Sequence, residues 1–248
     1  MIPTDAAPDS EFMYRRMWEA TESALGVDPL GPTARVLDLA GGTGADAARL
    51  ADQGLQVFAA EPSSQMIALG ALASAQTGRS APAASLHWVR SFGETLPFAD
   101  GSFDAAYCKG SLDHFEDPRA AIRELARVTR PQGRVVLAVA NMSGWGRSVA
   151  ARADTRDRRE RPGRRASDIP GDHLTRYEPR LLREHFSEFV ELEEIHGVSL
   201  LWSTRLWRRT LHALPTRLSG ALLAGSDRIA RVFPRLADVT ILAGPPRG

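Results

Sequence analysis

The sequence predicts an α/β protein built as a doubly wound, parallel sheet, and three observations predict it. Short apolar runs alternate with stretches of helical periodicity along most of the 248 residues. The first such run, Val36-Leu37, leads into Asp38 and a glycine-rich turn, Leu39-Ala40-Gly41-Gly42-Thr43-Gly44. Behind that turn ADAARLA (45–51) spaces small and apolar residues as a helix does. In chain order the pattern reads as a helix over about 10–26, then strands over about 34–39, 55–60, 85–90, 103–108 and 133–140, with helices between them. VELEEIHGV (190–198) and ADVTILAG (237–244) read as two final strands, which makes seven.

The turn carries the functional signal. Glycines let backbone N–H groups approach a ligand closely, and the helix start adds unpaired N–H groups and partial positive charge. Two cofactors compete for such a turn. Gly42-Thr43-Gly44-Ala45-Asp46-Ala47 fits the dinucleotide pattern G-x-G-x-x-A, with Glu61 roughly 20 residues on as the ribose acid. Asp38 opposes that reading, because a carboxylate before the glycines would repel a pyrophosphate and attract an ammonium or a sulfonium. Asp38 and the turn together resemble motif I of the class I S-adenosylmethionine-dependent methyltransferases.

Three further segments resemble the same family in the same order. LQVFAAEPSSQMI (55–67) is similar to its second strand and following helix, GETLPFADGSFDAAYC (93–108) to the segment opening strand four, and ELARVTRPQGRVVLAVA (124–140) to the helix, Arg-Pro-x-Gly turn and fifth strand. The resemblance covers about residues 34–140. It implies S-adenosyl-L-methionine as cofactor, held by Asp38, Ala40, Gly41, Gly42 and Gly44, by Glu61 on both ribose hydroxyls, and by Pro62 and Met66 beside the adenine. It also implies contacts from Phe92, Gly93 and Glu94, and from Cys108 and Lys109 at the end of strand four. It implies a mostly parallel seven-stranded sheet whose last strand is antiparallel. Two departures stand out: Ala40 where the family often has Gly, and Phe92 where an Asp often accepts from the adenine amino group. LAGGTG resembles the variant in quinone C-methyltransferases, but the typical residues of that group after strand four are missing.

Composition bounds the rest. Hydrophobic content of 43% and charged content of 25% suit a globular domain, and a net charge of +1 points neither to nor away from nucleic acid as a partner. The single cysteine, Cys108, excludes an internal disulfide, and its place at the end of a strand reads as a structural thiol. The six histidines form no paired motif with nearby acids, so no metal site is expected. No stretch is long and apolar enough to span a membrane and the N-terminus has no signal-like apolar core, so a cytoplasmic enzyme is expected. The expected organisation is a cofactor-binding core with its N-terminal helix (1–143), an arginine-rich lid (144–176) and the completion of the sheet (177–248), interrupted by a helical insertion at about 199–235.

Eight arginines crowd residues 147–165 with Asp154, Asp157 and Glu160 among them. A solvated charge run is the plain reading, and a lid over an acidic or phosphorylated substrate the sharper one. Trp202, Leu206, Trp207, Leu211 and Leu214, then Leu218, Leu222 and Leu223, recur near helical spacing in the insertion, which suits core, a cap, a homodimer face or an apolar acceptor pocket.

Methyl transfer needs an oriented acceptor and, for a hydroxyl, a base. The acceptor is expected beyond strands four and five, next to CKGSLDHFED (108–117), which makes His114 the first candidate base and His173 the second. Asp117-Pro118 reads as a helix N-cap. Tyr14 and Trp18 either close over the cofactor or form the buried face of the first helix, and Tyr177 could reach the acceptor pocket. The expected function is methyl transfer to a small-molecule acceptor. RNA or protein methylation, an NAD-binding oxidoreductase and a catalytically inactive cofactor-binding protein are the alternatives.

Overall fold

The structure, a computed structural model, describes residues 8–26, 31, 33–76, 85–145, 174–175, 177–202 and 204–248. Most of the arginine-rich segment, including His173, lies outside the described residues. Seven strands form one sheet in the order β3-β2-β1-β4-β5-β7-β6: β1 (Arg35–Leu39), β2 (Gln56–Ala60), β3 (Leu86–Val89), β4 (Phe103–Lys109), β5 (Thr129–Ala140), β6 (Glu194–Val198) and β7 (Val239–Gly244). The first five pair in parallel, and β7 runs antiparallel to both β5 and β6. The strand order reverses direction between β1 and β4, so the chains leaving their carboxyl ends diverge there and leave a crevice.

The helices are α1 (Pro8–Leu25), α2 (Ala45–Asp52), α3 (Ser64–Gln76), α4 (Pro118–Val128), α5 (Pro179–Phe189), α6 (Arg205–Ala213) and α7 (Thr216–Val232). Successive strand residues serve opposite faces of the sheet. Val36, Val57, Tyr107 and Val136 pack with Met13, Met17 and Trp18 of α1 and with Ala47 and Leu50 of α2. Leu37, Cys108, Val135 and Leu137 pack with Ile122 and Leu125 of α4 and with Leu182 and Phe186 of α5. Burial on both faces explains why β1 and β4 are apolar almost throughout. Asp117 caps α4 as read from the sequence: its Oδ1 accepts from Ala120 N at 3.0 Å, with Pro118 in the first turn. The Arg-Pro-x-Gly segment (130–133) falls inside β5 at an irregularity: the register with β4 jumps from Phe103–Thr129 to Ala105–Arg134 and passes over these four residues.

The insertion between β6 and β7 is α6 and α7, held by one buried carboxylate. Asp227 of α7 is 1% exposed and accepts from Arg16 Nε at 3.0 Å and from the backbone N of Ser199 at 3.2 Å, with Arg231 3.3 Å away. It joins the insertion to α1 and to the end of β6. Asp227→Ala would leave a buried N–H and a half-buried guanidinium without their acceptor, which costs about 2–4 kcal/mol. Urea unfolding should show that loss, and an unchanged midpoint would contradict the anchoring role.

Candidate active site

The glycine turn sits at the crevice, and its shape follows from Asp38. Asp38 stands opposite Tyr107 in the β1–β4 register and is 2% exposed. A Cβ on Gly41 would collide with its carboxylate, so only glycine fits there. Ala40 takes φ 56, Gly42 φ 59 and Gly44 φ 64. The left-handed conformation at Ala40 costs roughly 1–2 kcal/mol, which accounts for the family's preference for glycine at this position. Gly42 has open space where a side chain would project. Gly44 and Gly70 are instead filled against the Trp88 ring. That support for the turn was not anticipated, because an aromatic in an edge strand carries no distinguishing pattern.

The charges around the turn are mostly negative. Glu61, at the end of β2 and 6% exposed, accepts from Gly42 N at 3.0 Å through Oε2 and from Ser63 N at 2.9 Å through Oε1. Its carboxylate thus braces the turn, and each oxygen retains a second lone pair. Lys109 Nζ lies 2.5 Å from Asp46 Oδ2 in the first turn of α2 and 5.8 Å from the centre of the Trp18 ring. Trp18 is therefore on the buried face of α1 and at the site's edge at once, while Tyr14 packs edge-on against Trp202. Three carboxylates (Asp38, Asp46 and Glu61) face the Lys109 ammonium and, at Asp46, the more exposed Arg49 guanidinium 3.6 Å away.

Asp38 Oδ2 is buried without a hydrogen-bond partner. Burial, then the Asp46 charge, pushes the Asp38 carboxyl up to about 7, against the pull of the Tyr107 hydroxyl and Lys109. Tyr107 lies beside it, but its hydroxyl also makes no well-formed bond. A buried carboxylate whose neighbouring donor, the Tyr107 hydroxyl, is poorly aligned, next to an open turn and two further carboxylates, fits a ligand carrying an ammonium or sulfonium.

The remaining expected residues divide. Met66 (38% exposed) and Phe92 (69% exposed) leave apolar side chains open to solvent beside the crevice. Pro62 accepts from Arg90 Nε at 3.1 Å, a Cβ on Gly93 would run into Phe115, and Glu94 accepts from Asp117 N at 3.4 Å. Ser91, next to Phe92, has a buried hydroxyl without a partner. The Cys108 side chain turns into the core, away from Tyr107, and burial holds its thiol protonated, so it can offer a ligand only its backbone.

Ser111 Oγ donates to Ala40 O at 3.1 Å and ties the loop after β4 to the glycine turn. On that loop His114 is partly exposed, its Nε2 4.0 Å from Oδ1 of buried Asp113. Asp113 O accepts from Leu174 N and Thr175 N, so the chain that follows the arginine-rich segment returns to this loop. Tyr177 does not reach an acceptor pocket: it is 1% exposed and its hydroxyl contacts His185 Nδ1 at 3.2 Å. That pair is invisible in sequence, as is the partner of His87, Gln56 Oε1 at 3.2 Å.

Residues 37–137 match the family model described as a methyltransferase domain. The match covers about two fifths of the chain, from β1 into β5. Demethylmenaquinone methyltransferase of Beutenbergia cavernae is 41% identical over 131 residues, which is 52% of this chain and 50% of that protein. The Mycolicibacterium paratuberculosis protein of the same name is 42% identical over 123 residues, 49% of this chain and 47% of that one. The chain spans about half the length of these relatives. Among solved structures, a chain of the complex between the Haloferax volcanii Trm112 methyltransferase activator and a methyltransferase aligns over 97% of this chain and 94% of its own, with TM-score 0.62 and 18% identity. The [4+2]-cyclase SpnF aligns over 94% and 82%, with TM-score 0.61 and 21% identity. The methyltransferase fold thus extends well beyond the matched domain, and the cyclase is a reminder that the fold does not dictate one reaction.

The raised Asp38 carboxyl has a consequence for the ligand-free protein. Between about pH 4 and 7 the unfolded chain releases this proton before the folded one does, so this group makes stability fall as pH rises, by up to about 4 kcal/mol, and level off above about 7. Asp38→Asn should flatten that slope in chemical unfolding at pH 5 through 8 (roughly the window set by linkage). An identical slope in the variant would mean that the carboxyl titrates normally.

Proposed function

We propose that the protein transfers a methyl group from S-adenosyl-L-methionine to a small-molecule acceptor. The observation that carries this reading is the orphaned oxygen of Asp38 at the open glycine turn. When bound, S-adenosyl-L-methionine supplies a methyl group already activated by its sulfonium. Asp38 would accept from its amino group, and Glu61 would use its free lone pairs for the ribose hydroxyls. Met66 and Phe92 would flank the adenine, and Ser91 offers a hydroxyl at its edge.

The chain's work in the reaction is mainly positional. Holding the acceptor in line with the methyl group supplies roughly 7–11 kcal/mol in favourable cases. His114 stands on the loop that Ser111 ties to the turn, with Asp113 Oδ1 4.0 Å from its Nε2, and it would take the acceptor's proton. His173, the second candidate base, lies outside the described residues, and its part is tested by substitution alongside His114. The relatives' name points to a reduced quinone ring as one acceptor to try. The identity to them spans only about half of this chain, so the acceptor is tested and not inherited.

S-adenosylhomocysteine should raise the melting temperature by mass action, and NAD should not. Glu61→Ala should weaken its binding by roughly 1.5–3 kcal/mol, the worth of hydrogen bonds to a charged group. With labelled cofactor, His114→Ala should slow the single-turnover rate by about 10²-fold and leave cofactor affinity nearly intact. Stabilisation by NAD in place of S-adenosylhomocysteine would overturn the proposal. A normal single-turnover rate in the His114 variant would leave positioning as the whole mechanism.

A further inference from the structure

The longer helix of the insertion, α7, is built with its amphipathicity reversed. A helix on the surface of a soluble domain turns its large apolar residues inward. In α7 the inward face carries Ser219, Ser226, Asp227 and Ala230 with one large residue, Leu223. The two serine hydroxyls bond to carbonyls of their own helix, Thr216 and Leu223. Leu218, Leu222, Ile229 and Val232 recur at helical spacing on the opposite face, and each is between 42% and 65% exposed. Phe233 continues that stripe, and Leu206 of α6 is 77% exposed.

The charge on these elements has one sign. Residues 205–236 contain seven arginines and one acid, in a protein whose net charge is only +1. The acid is Asp227, which is buried and spent on Arg16 and Arg231. Arg208, Arg209, Arg217, Arg228 and Arg235 are all exposed around the apolar stripe.

We propose that α6 and α7 form a docking surface for an anionic lipid bilayer. A helix such as the 17-residue α7 lying flat, aliphatic side chains toward the acyl boundary and arginines at the headgroups, is what such a surface requires. Among the described residues no helix is long and apolar enough to cross a membrane, so the attachment is peripheral. A second copy fits less well, because a two-fold contact would set each arginine cluster against its own image. A protein-binding face would be expected to have aromatic anchors and few charges at its centre, whereas this stripe is aliphatic along α7, has its aromatic Phe233 only at the end, and is ringed by arginines. The surface does not depend on which acceptor the active site takes.

Flotation of the purified full chain tests the proposal. The probes are vesicles of phosphatidylcholine alone and vesicles of equal parts phosphatidylcholine and phosphatidylglycerol. The protein should float with the anionic vesicles only, and high salt should release most of it. Leu222→Glu/Ile229→Glu changes two exposed positions and should keep the wild-type melting temperature while losing about tenfold or more of the bound fraction. Arg208→Gln/Arg209→Gln should remove part of the salt-sensitive binding. Failure of the wild type to float with either vesicle would overturn the proposal. So would undiminished flotation of the Leu222/Ile229 variant, which would assign the binding to other basic segments. A wild-type dimer in sedimentation equilibrium that the same variant splits, with no flotation, would assign the face to a second copy instead.

Discussion

A carboxylate in a strand buried on both faces is an unfavourable thing to build, and the centre of this molecule is arranged around one. Asp38 has lost its water, faces Tyr107 across the strand pair, and has an oxygen that nothing in the protein satisfies. Gly41 exists as glycine because the carboxylate fills the space above it. Lys109 lies close enough to ease its charge, yet is itself committed to Asp46. The protein tolerates a neutral or strained acid here, and a cationic ligand would relieve it. The electrostatic penalty in the empty site then becomes part of the attraction for the bound cofactor.

The second carboxylate has a different task. Glu61 holds Gly42 N and Ser63 N, so it fixes the turn's shape before any ligand arrives. Ser111 fixes the loop after β4 to the same turn through Ala40 O. The glycine turn and the loop with His114 are therefore joined by a hydrogen bond. That connection suits a reaction in which the acceptor has to be held near attack distance.

What was legible in the sequence was what depends on local pattern. The strands over 34–39, 55–60 and 103–108 came within a residue or two of β1, β2 and β4, because strands covered on both faces must be nearly continuous in apolar residues. The glycine turn after Asp38 was legible because left-handed backbone at Gly42 and Gly44 and the close approach at Gly41 restrict which residues can stand in it. Contacts across the fold were not. The Asp46–Lys109 pair, the packing of Trp88 under Gly44, the Ser111 bond and the Tyr177–His185 contact join residues with no shared periodicity. The spacing of Leu218 and Leu222 suits a core, a cap, a dimer face or an acceptor pocket alike, and only the structure shows that Asp227 anchors the helix by its other face and leaves them exposed. Periodicity reveals that a face is apolar, not which way it points.

The central claim is that Asp38 and Glu61 receive the amino-acid and ribose ends of a sulfonium nucleoside. A crystal structure with S-adenosylhomocysteine tests it most directly. The account predicts the ligand in the crevice between β1 and β4, its amino group donating to Asp38 Oδ2 directly or through one water, and its ribose hydroxyls on Glu61. A ligand seated with its amino-acid end away from Asp38, or bound outside the glycine turn, would contradict it.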